Sequence, residues 1–419
     1  MIQRQILPNG LTLLTERMPN IRSVCLGVWL KQGSRHETDS ENGISHFIEH
    51  LLFKGTESRT AQEIAKTIDA VGGQCDAFTS KEYTCFYARV LDEHLPVAFD
   101  LLADIVLHPK FDPEMIEKER KVIFEEIKMV EDSPDELVYD LFTETIWKEH
   151  PLGRPIQGTV ESVTALDTGT LLKFFRGAYN PRNVVISAAG NLHPDRLAAR
   201  VAGAFGALTN GAPHRPVTTP SARAELVMRE KKELEQLHLC IGVPAFRQSH
   251  PDRYCGYVLN TVLGGTMSSR LFQNIREERG LAYTVFSSIN SFADTGFLAV
   301  YAATRPEGAA EVVQLICGEL ARLKDAPLDE AELRGAKDHL KGSLMLSLES
   351  SSSRMSNLAR QEIYFDRQFS LDEIVSGIDA VTGEAVQALA RSVLDGRACT
   401  AAVLGRVQDL KLDEASISF

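Results

Sequence analysis

The chain carries one pattern twice, and no other feature restricts its fold so tightly. "VESVTALDTGTLLKFF", from Val160, matches "VSGIDAVTGEAVQALA", from Val375. At the same offset of 215 residues "VVISAAGNL", ending at Leu192, faces "CTAAVLGRV", ending at Val407. "LFKGT" (52–56) has a counterpart in "VLGGT" (262–266), and "FDPEMIEKERKVIFEE" (111–126) in "LDEAELRGAKDHLKGS" (328–343). The matches keep one order, and the offset drifts only between 210 and 217, as loop insertions would make it. A duplication follows, each copy long enough to bury its own core.

Within each copy, short β-rich runs such as "SVCLGVWL" and "YTCFYARVL" precede helical patterns. Strands grouped together and helices grouped together indicate an α+β fold of two homologous repeats. Each would be a mostly antiparallel mixed sheet with helices packed on one face. "TNGAPHRPVTTPSA" (209–222) is rich in Gly, Pro and Thr and aperiodic, so it reads as a linker. It separates a first domain, 1–208, from a second, 223–419. The glycines of "LGGTMSS" lack the lysine and spacing of a phosphate-binding loop.

A net charge of −12 argues against a general nucleic-acid binder and suits basic peptides. Seven cysteines stand singly with no C-x-x-C pair, the pattern of reduced thiols. The N-terminus has no apolar signal core, and no run approaches the ~20 apolar residues of a membrane span. The expectation is a cytoplasmic protein without membrane insertion, or one of the mitochondrial matrix if a presequence has been removed.

The chemistry concentrates in "GISHFIEHLLFKGT" (43–56), where His46-x-x-Glu49-His50 stands among apolar residues. At ~100° per residue His46, Glu49, His50 and Phe53 share one sector of a helix, opposite Ile44, Phe47, Ile48 and Leu51. Histidines at i and i+4 present their imidazoles to one metal ion. Glu49 reaches toward the same ion without having to bind it, the place of a general base acting on water. The plain alternative is two satisfied core histidines and a surface glutamate. "PEMIEKERKVIFEEIKMVED" reads as a second helix, with Pro113 in its first turn. Met115, Ile116, Val122, Ile123, Ile127 and Val130 form an apolar arc with Glu119 and Glu126 in its middle, while Glu117 and Glu125 point outward. A carboxylate in a buried face is unfavourable unless paired or metal-bound. The two helices together therefore make a His, His, Glu zinc site with a base beside it.

His46-x-x-Glu49-His50, followed 76 residues later by Glu126, resembles the inverzincin zinc metallopeptidases of the M16 (pitrilysin/insulinase) family. The likeness spans the whole chain, duplication included, and the size suits the short branch near the mitochondrial processing peptidase β subunit and its bacterial homologues. It implies one Zn2+ per chain on His46, His50 and Glu126, with Glu49 as base and Glu119 orienting a ligand. It also matches "IREERGLAY", giving Arg276 and Tyr283 as substrate-reaching residues for a peptide carbonyl and an oxyanion. "GGQCDAFTSKEYTCFY" matches a substrate-docking edge strand through Asp76, Ala77, Phe78 and Thr79. The family usually has Asn where this chain has Asp76, which removes an amide donor and adds a charge favouring basic peptides.

Around Leu259 and Asn260 the second copy has no H-x-x-E-H, and Ser343 stands opposite Glu126, so one site per chain is expected. The implied activity is endopeptidase cleavage of peptides or unfolded segments inside a clamshell chamber. The implied assembly is a homodimer, with a heterodimer containing an inactive homologue as the alternative. The rival function is a non-catalytic core or partner subunit of a processing complex.

Overall fold

The computed structural model describes residues 2–209, 217–408, 410–417 and 419. Residues 210–216 of the segment read as a linker therefore lie outside the described residues. The chain forms two compact units. One comprises Met1–Lys128, Arg154–Val217 and Leu346–Gln368, the other Met129–Gly153, Thr218–Met345 and Phe369–Phe419.

The first unit holds strands β1 (Ile2–Ile6), β2 (Thr12–Arg17), β3 (Ser23–Leu30), β4 (Gln74–Thr79), β5 (Thr84–Leu91) and β6 (Val184–Gly190). They lie in the order β1-β2-β6-β3-β5-β4, parallel at β2–β6 and antiparallel elsewhere. The second unit holds β7 (Leu226–Glu230), β8 (Leu237–Ala245), β9 (Ala282–Ser291), β10 (Gly296–Thr304) and β11 (Thr400–Gly405). Their order is β7-β11-β8-β10-β9, parallel only at β7–β11. Without β1 the two sheets are one pattern, β2, β6, β3, β5 and β4 answering β7, β11, β8, β10 and β9. The fold is α+β, and the duplication read from sequence is a duplication of topology.

The first half of the chain supplies helices α1 (Ile44–Leu52), α2 (Ala61–Asp69), α3 (Leu95–Leu107), α4 (Pro113–Asp132), α5 (Pro134–Ile146), α6 (Val160–Ala165), α7 (Thr168–Ala178) and α8 (Pro194–Phe205). The second half supplies α9 (Arg253–Leu263), α10 (Ala309–Asp325), α11 (Glu330–Ser347), α12 (Ser351–Phe365), α13 (Leu371–Asp379) and α14 (Gly383–Val393).

In the first unit one sheet face packs most of the helices: Leu26, Val28, Phe86 and Ile186 bury against Phe47, Leu51, Leu101 and Ile105. The other face, through Cys25, Trp29, Cys85 and Val185, buries against Met355, Leu358 and Ala359 of α12. Trp29 donates its indole N–H to Ser187 Oγ at 2.9 Å and lies 3.3 Å from Met355 Sδ, so the large ring is satisfied inside this layer. Burial on both faces explains why β3 reads as an unbroken apolar run rather than an alternation. The second unit mirrors this. Leu239, Ile241 and Val243 of β8 face Val258, Leu259 and Val313, while Cys240 lies in a layer with Val138, Phe142 and Ile146 of α5. Each half of the chain thus lends one helix to the other half's sheet. Among the described residues no helix is long and apolar enough to cross a membrane.

Candidate active site

Helix α1 starts at Gly43, whose φ of +92° favours glycine and whose missing Cβ would stand 2.7 Å from the Gln157 carbonyl oxygen. A glycine has no side chain to cap the helix, so Glu37 does it from outside. Its Oε2 accepts from the Gly43 N–H and its Oε1 from the Ser45 N–H, each at 2.9 Å. Burial pushes this carboxyl up to about 7, against the pull of those donors. Ile44, Phe47, Ile48 and Leu51 are buried, which leaves the polar stripe of α1 as the face carrying His46, Glu49 and His50.

Helix α4 presents Ile116, Glu119, Arg120 and Ile123 to the interior. The apolar arc drawn from the sequence needs correction: Val122 is 43% exposed, Arg120 is buried, and the Glu126 side chain, placed in the middle of that arc, is 37% exposed. The guanidinium donates to the backbone carbonyls of Val163 and Leu166, which satisfies it inside the fold. Glu117 and Glu125 face solvent, paired with Arg120 and Lys128.

Glu126 Oε2 lies 3.6 Å from His46 Nε2 and 3.5 Å from His50 Nε2. The three donor atoms all fall within 4.8 Å of one another, a group suited to a metal ion. These separations are long for hydrogen bonds. They approach the edge of a tetrahedron with ligands ~2.0–2.1 Å from its centre, which is about 3.3 Å. The donor set therefore fits zinc better than it fits mutual pairing.

Glu119 Oε2 sits 3.2 Å from His50 Nδ1, fixing the ring so that Nε2 faces Glu126, and its Oε1 lies 3.0 Å from Lys54 Nζ. Among the described residues His46 Nδ1 is buried without a hydrogen-bond partner. Burial, and then the neighbouring His50, push the His46 imidazole down to about 4, keeping it neutral with a lone pair to give. Glu49 is raised from the usual carboxylate range, chiefly by burial. A hydrogen bond from the Thr79 hydroxyl to Glu49 Oε2 opposes the rise.

Asp76, Ala77, Phe78 and Thr79 lie on β4, the outer strand of the six-stranded sheet. Asp76 and Phe78 face solvent while Ala77 and Thr79 are half-buried, and Asp76 Oδ1 accepts from the Ala77 N–H at 2.8 Å. Arg276 and Tyr283 belong to the second unit. Arg276 lies on a π-helical turn, Phe272–Glu277, and Tyr283 on β9, the outer strand of the five-stranded sheet. The guanidinium stands 4.6 Å from both the Phe272 and Tyr283 ring centres, and Tyr283 is 75% exposed. In the second copy Leu259 is buried in the core, and the Asn260 side-chain oxygen accepts from Ser287 Oγ at 2.8 Å.

Sequence reasoning missed Glu37 and Lys54 as partners of the site, and Thr79 as a partner of Glu49. Neither periodicity nor motif spacing marks these contacts.

The matches to known proteins agree with this geometry. Residues 12–160 match "Insulinase (Peptidase family M16)", and residues 165–340 match "Peptidase M16 inactive domain". The chain belongs to the M16 peptidase family. The uncharacterized zinc protease YmxG of Bacillus subtilis is 44% identical over 94% of this chain and 96% of that protein. A zinc protease of Rickettsia bellii is 34% identical over 95% and 96%. A peptidase M16 inactive domain from Pseudomonas fluorescens shares the fold with a TM-score of 0.91 at 21% identity, over 98% of this chain and 100% of that one. A protease from Helicobacter pylori does so with a TM-score of 0.89 at 22% identity, over 97% and 99%. For an M16 peptidase, the match of an inactive-domain description to residues 165–340 fits a second copy without the histidine pair.

Proposed function

We propose that the chain is a zinc-dependent endopeptidase in which His46, His50 and Glu126 hold one Zn2+. The observation that carries this reading is the convergence of two imidazole nitrogens and a carboxylate oxygen at near-tetrahedral spacing, with the half-buried Glu49 on the same helix as the histidines. Zinc, when bound, supplies Lewis acidity that acidifies a water and polarises the scissile carbonyl. Glu49 takes the proton of the attacking water and returns it to the departing amine. Glu119 holds Nδ1 of His50, and Lys54 offsets the charge of Glu119.

The substrate lies extended and adds a strand along β4, so that backbone pairing gives affinity with loose sequence demands. The exposed Asp76 favours basic side chains there. The zinc site belongs to a first domain of residues 1–208, homologous to a second of 223–419. The protein works as a homodimer in the cytoplasm, with Arg276 and Tyr283 engaging the peptide carbonyl and the oxyanion.

Digestion of unstructured peptides, together with metal analysis, tests the reading. The wild type cleaves and chelator stops it. Glu49→Gln retains one equivalent of zinc and loses roughly 100- to 10,000-fold in kcat, the share of a general base. A protein that takes up no zinc, or a Glu49→Gln variant that cleaves normally, would overturn it.

A further inference from the structure

Among the described residues the Thr79 hydroxyl is the hydrogen-bond donor to the Glu49 carboxylate, and it ends the strand on which a substrate would dock. The turn that follows it is held from both sides. The Ser80 N–H donates to the Tyr83 carbonyl at 2.8 Å, closing the turn onto β5. From the other side, the N–H groups of Ser34 and Arg35 donate to the carbonyls of Ser80 and Lys81 at 3.2 and 2.7 Å. Arg35 and Glu82 then lock the same turn by a buried ion pair at 2.6 Å. Gly33 lets the segments approach, since a Cβ there would stand 2.1 Å from the Ser80 carbonyl oxygen. This scaffolding fixes the turn into which Thr79 leads. It fits a hydroxyl that must stay in one place.

We infer that Thr79 is a positioning residue for the base, an inference that rests on the peptidase reading above. By occupying Oε2 of Glu49 it fixes the carboxylate rotamer and leaves Oε1 as the oxygen that takes the water proton. The docking strand and the base are thereby one mechanical piece: the residue that ends the peptide-binding edge also aims the proton acceptor. Thr79 itself neither binds the metal nor accepts a proton.

The test compares Thr79→Val, which keeps the shape and loses the hydroxyl, with Thr79→Ser, which keeps the hydroxyl. Thr79→Ala guards against a valine that does not fit. Steady-state cleavage of an unstructured fluorogenic peptide is measured beside zinc affinity from a competing chelator. Valine and alanine should lower kcat roughly 10- to 100-fold, the scale for a misaimed catalytic group. KM and zinc affinity should stay within about twofold, and serine should return kcat to within about threefold of wild type. Valine and alanine variants with wild-type kcat overturn the inference. So does a serine variant as slow as valine, or a loss that falls on KM or on zinc affinity. A wild type that cleaves no peptide removes the peptidase reading instead, and a Glu49→Gln variant that cleaves normally removes Glu49 as the base; both are recognised before any Thr79 variant is assayed.

Discussion

Glu125 and Glu126 are neighbours on α4 with the same chemistry, and the structure gives them opposite fates. Glu126 Oε2 stands 3.5–3.6 Å from two imidazole nitrogens, whereas Glu125 is 69% exposed and pairs with Lys128 at 2.6 Å. Replacing each by glutamine changes nearly nothing in size. A zinc site formed by protein side chains binds with about 10–16 kcal/mol in all. If Glu126 is one of three ligands, and the only anionic one, a quarter of that is a lower bound for its share, about 2.5–4 kcal/mol. At ~1.4 kcal/mol per tenfold, Glu126→Gln weakens zinc binding by roughly two to three orders of magnitude. Glu125→Gln leaves zinc binding unchanged and removes only an exposed i,i+3 pair, about 0.3–0.5 kcal/mol of fold stability. Glu126 is itself 37% exposed, so its replacement leaves the fold standing, and circular dichroism of both variants checks this. The assay is competition for zinc against a chromophoric chelator of known affinity. Equal dissociation constants for the two variants would refute the assignment of the third ligand and the tetrahedral reading with it.

Three further outcomes follow from the same geometry. Glu119→Gln keeps an oxygen near His50 Nδ1 but removes the charge shared with Lys54, and should weaken zinc binding roughly 10- to 100-fold in the same competition assay. In metal-free protein, His46 has a folded value of about 4 against 6.5 unfolded. This depressed value makes its contribution, about 3 kcal/mol, complete above the unfolded value and lost as pH falls through the folded one. Glu37, held up at about 7, acts oppositely over an overlapping range, so the contribution is isolated as the difference between wild type and His46→Gln in urea titrations from pH 7 to 4. A constant difference would show that His46 is not held neutral by burial. Phe142→Ala, which empties a fully buried position 5.2 Å from the Phe297 ring, should destabilise the second unit by about 3–5 kcal/mol in chemical denaturation.

What could be read in advance divides along physical lines. The duplication was legible because sheet topology repeats with its turn and core positions, and those leave marks such as "LFKGT" and "VLGGT". The histidine stripe was legible because i and i+4 on a helix fall on one face whatever surrounds them. Which sheet a helix covers is not written in its periodicity. Leu137, Val138, Phe142 and Ile146 of α5 would satisfy any apolar surface, and only the assembled unit shows that they cover the β8–β11 layer. Arg120 was unreadable for a related reason: a buried guanidinium is acceptable where two carbonyls await it, and those belong to Val163 and Leu166, more than forty residues on. Glu37, Lys54 and Thr79 act through single contacts set by tertiary structure, without any period a sequence could display.

The second copy shows why the fold and the chemistry could part. Helix α9 buries Val258, Leu259, Val262 and Leu263 against its sheet, just as α1 buries Phe47, Ile48, Leu51 and Leu52. The apolar stripe does the packing in both, and the polar stripe rides on top of it. In α1 the His46 and His50 side chains retain 18% and 16% exposure, so their ion-facing atoms line an edge of the core rather than fill it. At the two histidine positions α9 carries Gly256 and an asparagine whose side-chain oxygen accepts from Ser287 Oγ. The proposed metal ligands are thus an addition to an α+β layer whose apolar stripe packs without them, unlike a zinc finger whose core is the ion itself. On that footing one copy can carry the proposed site while the other keeps only the scaffold.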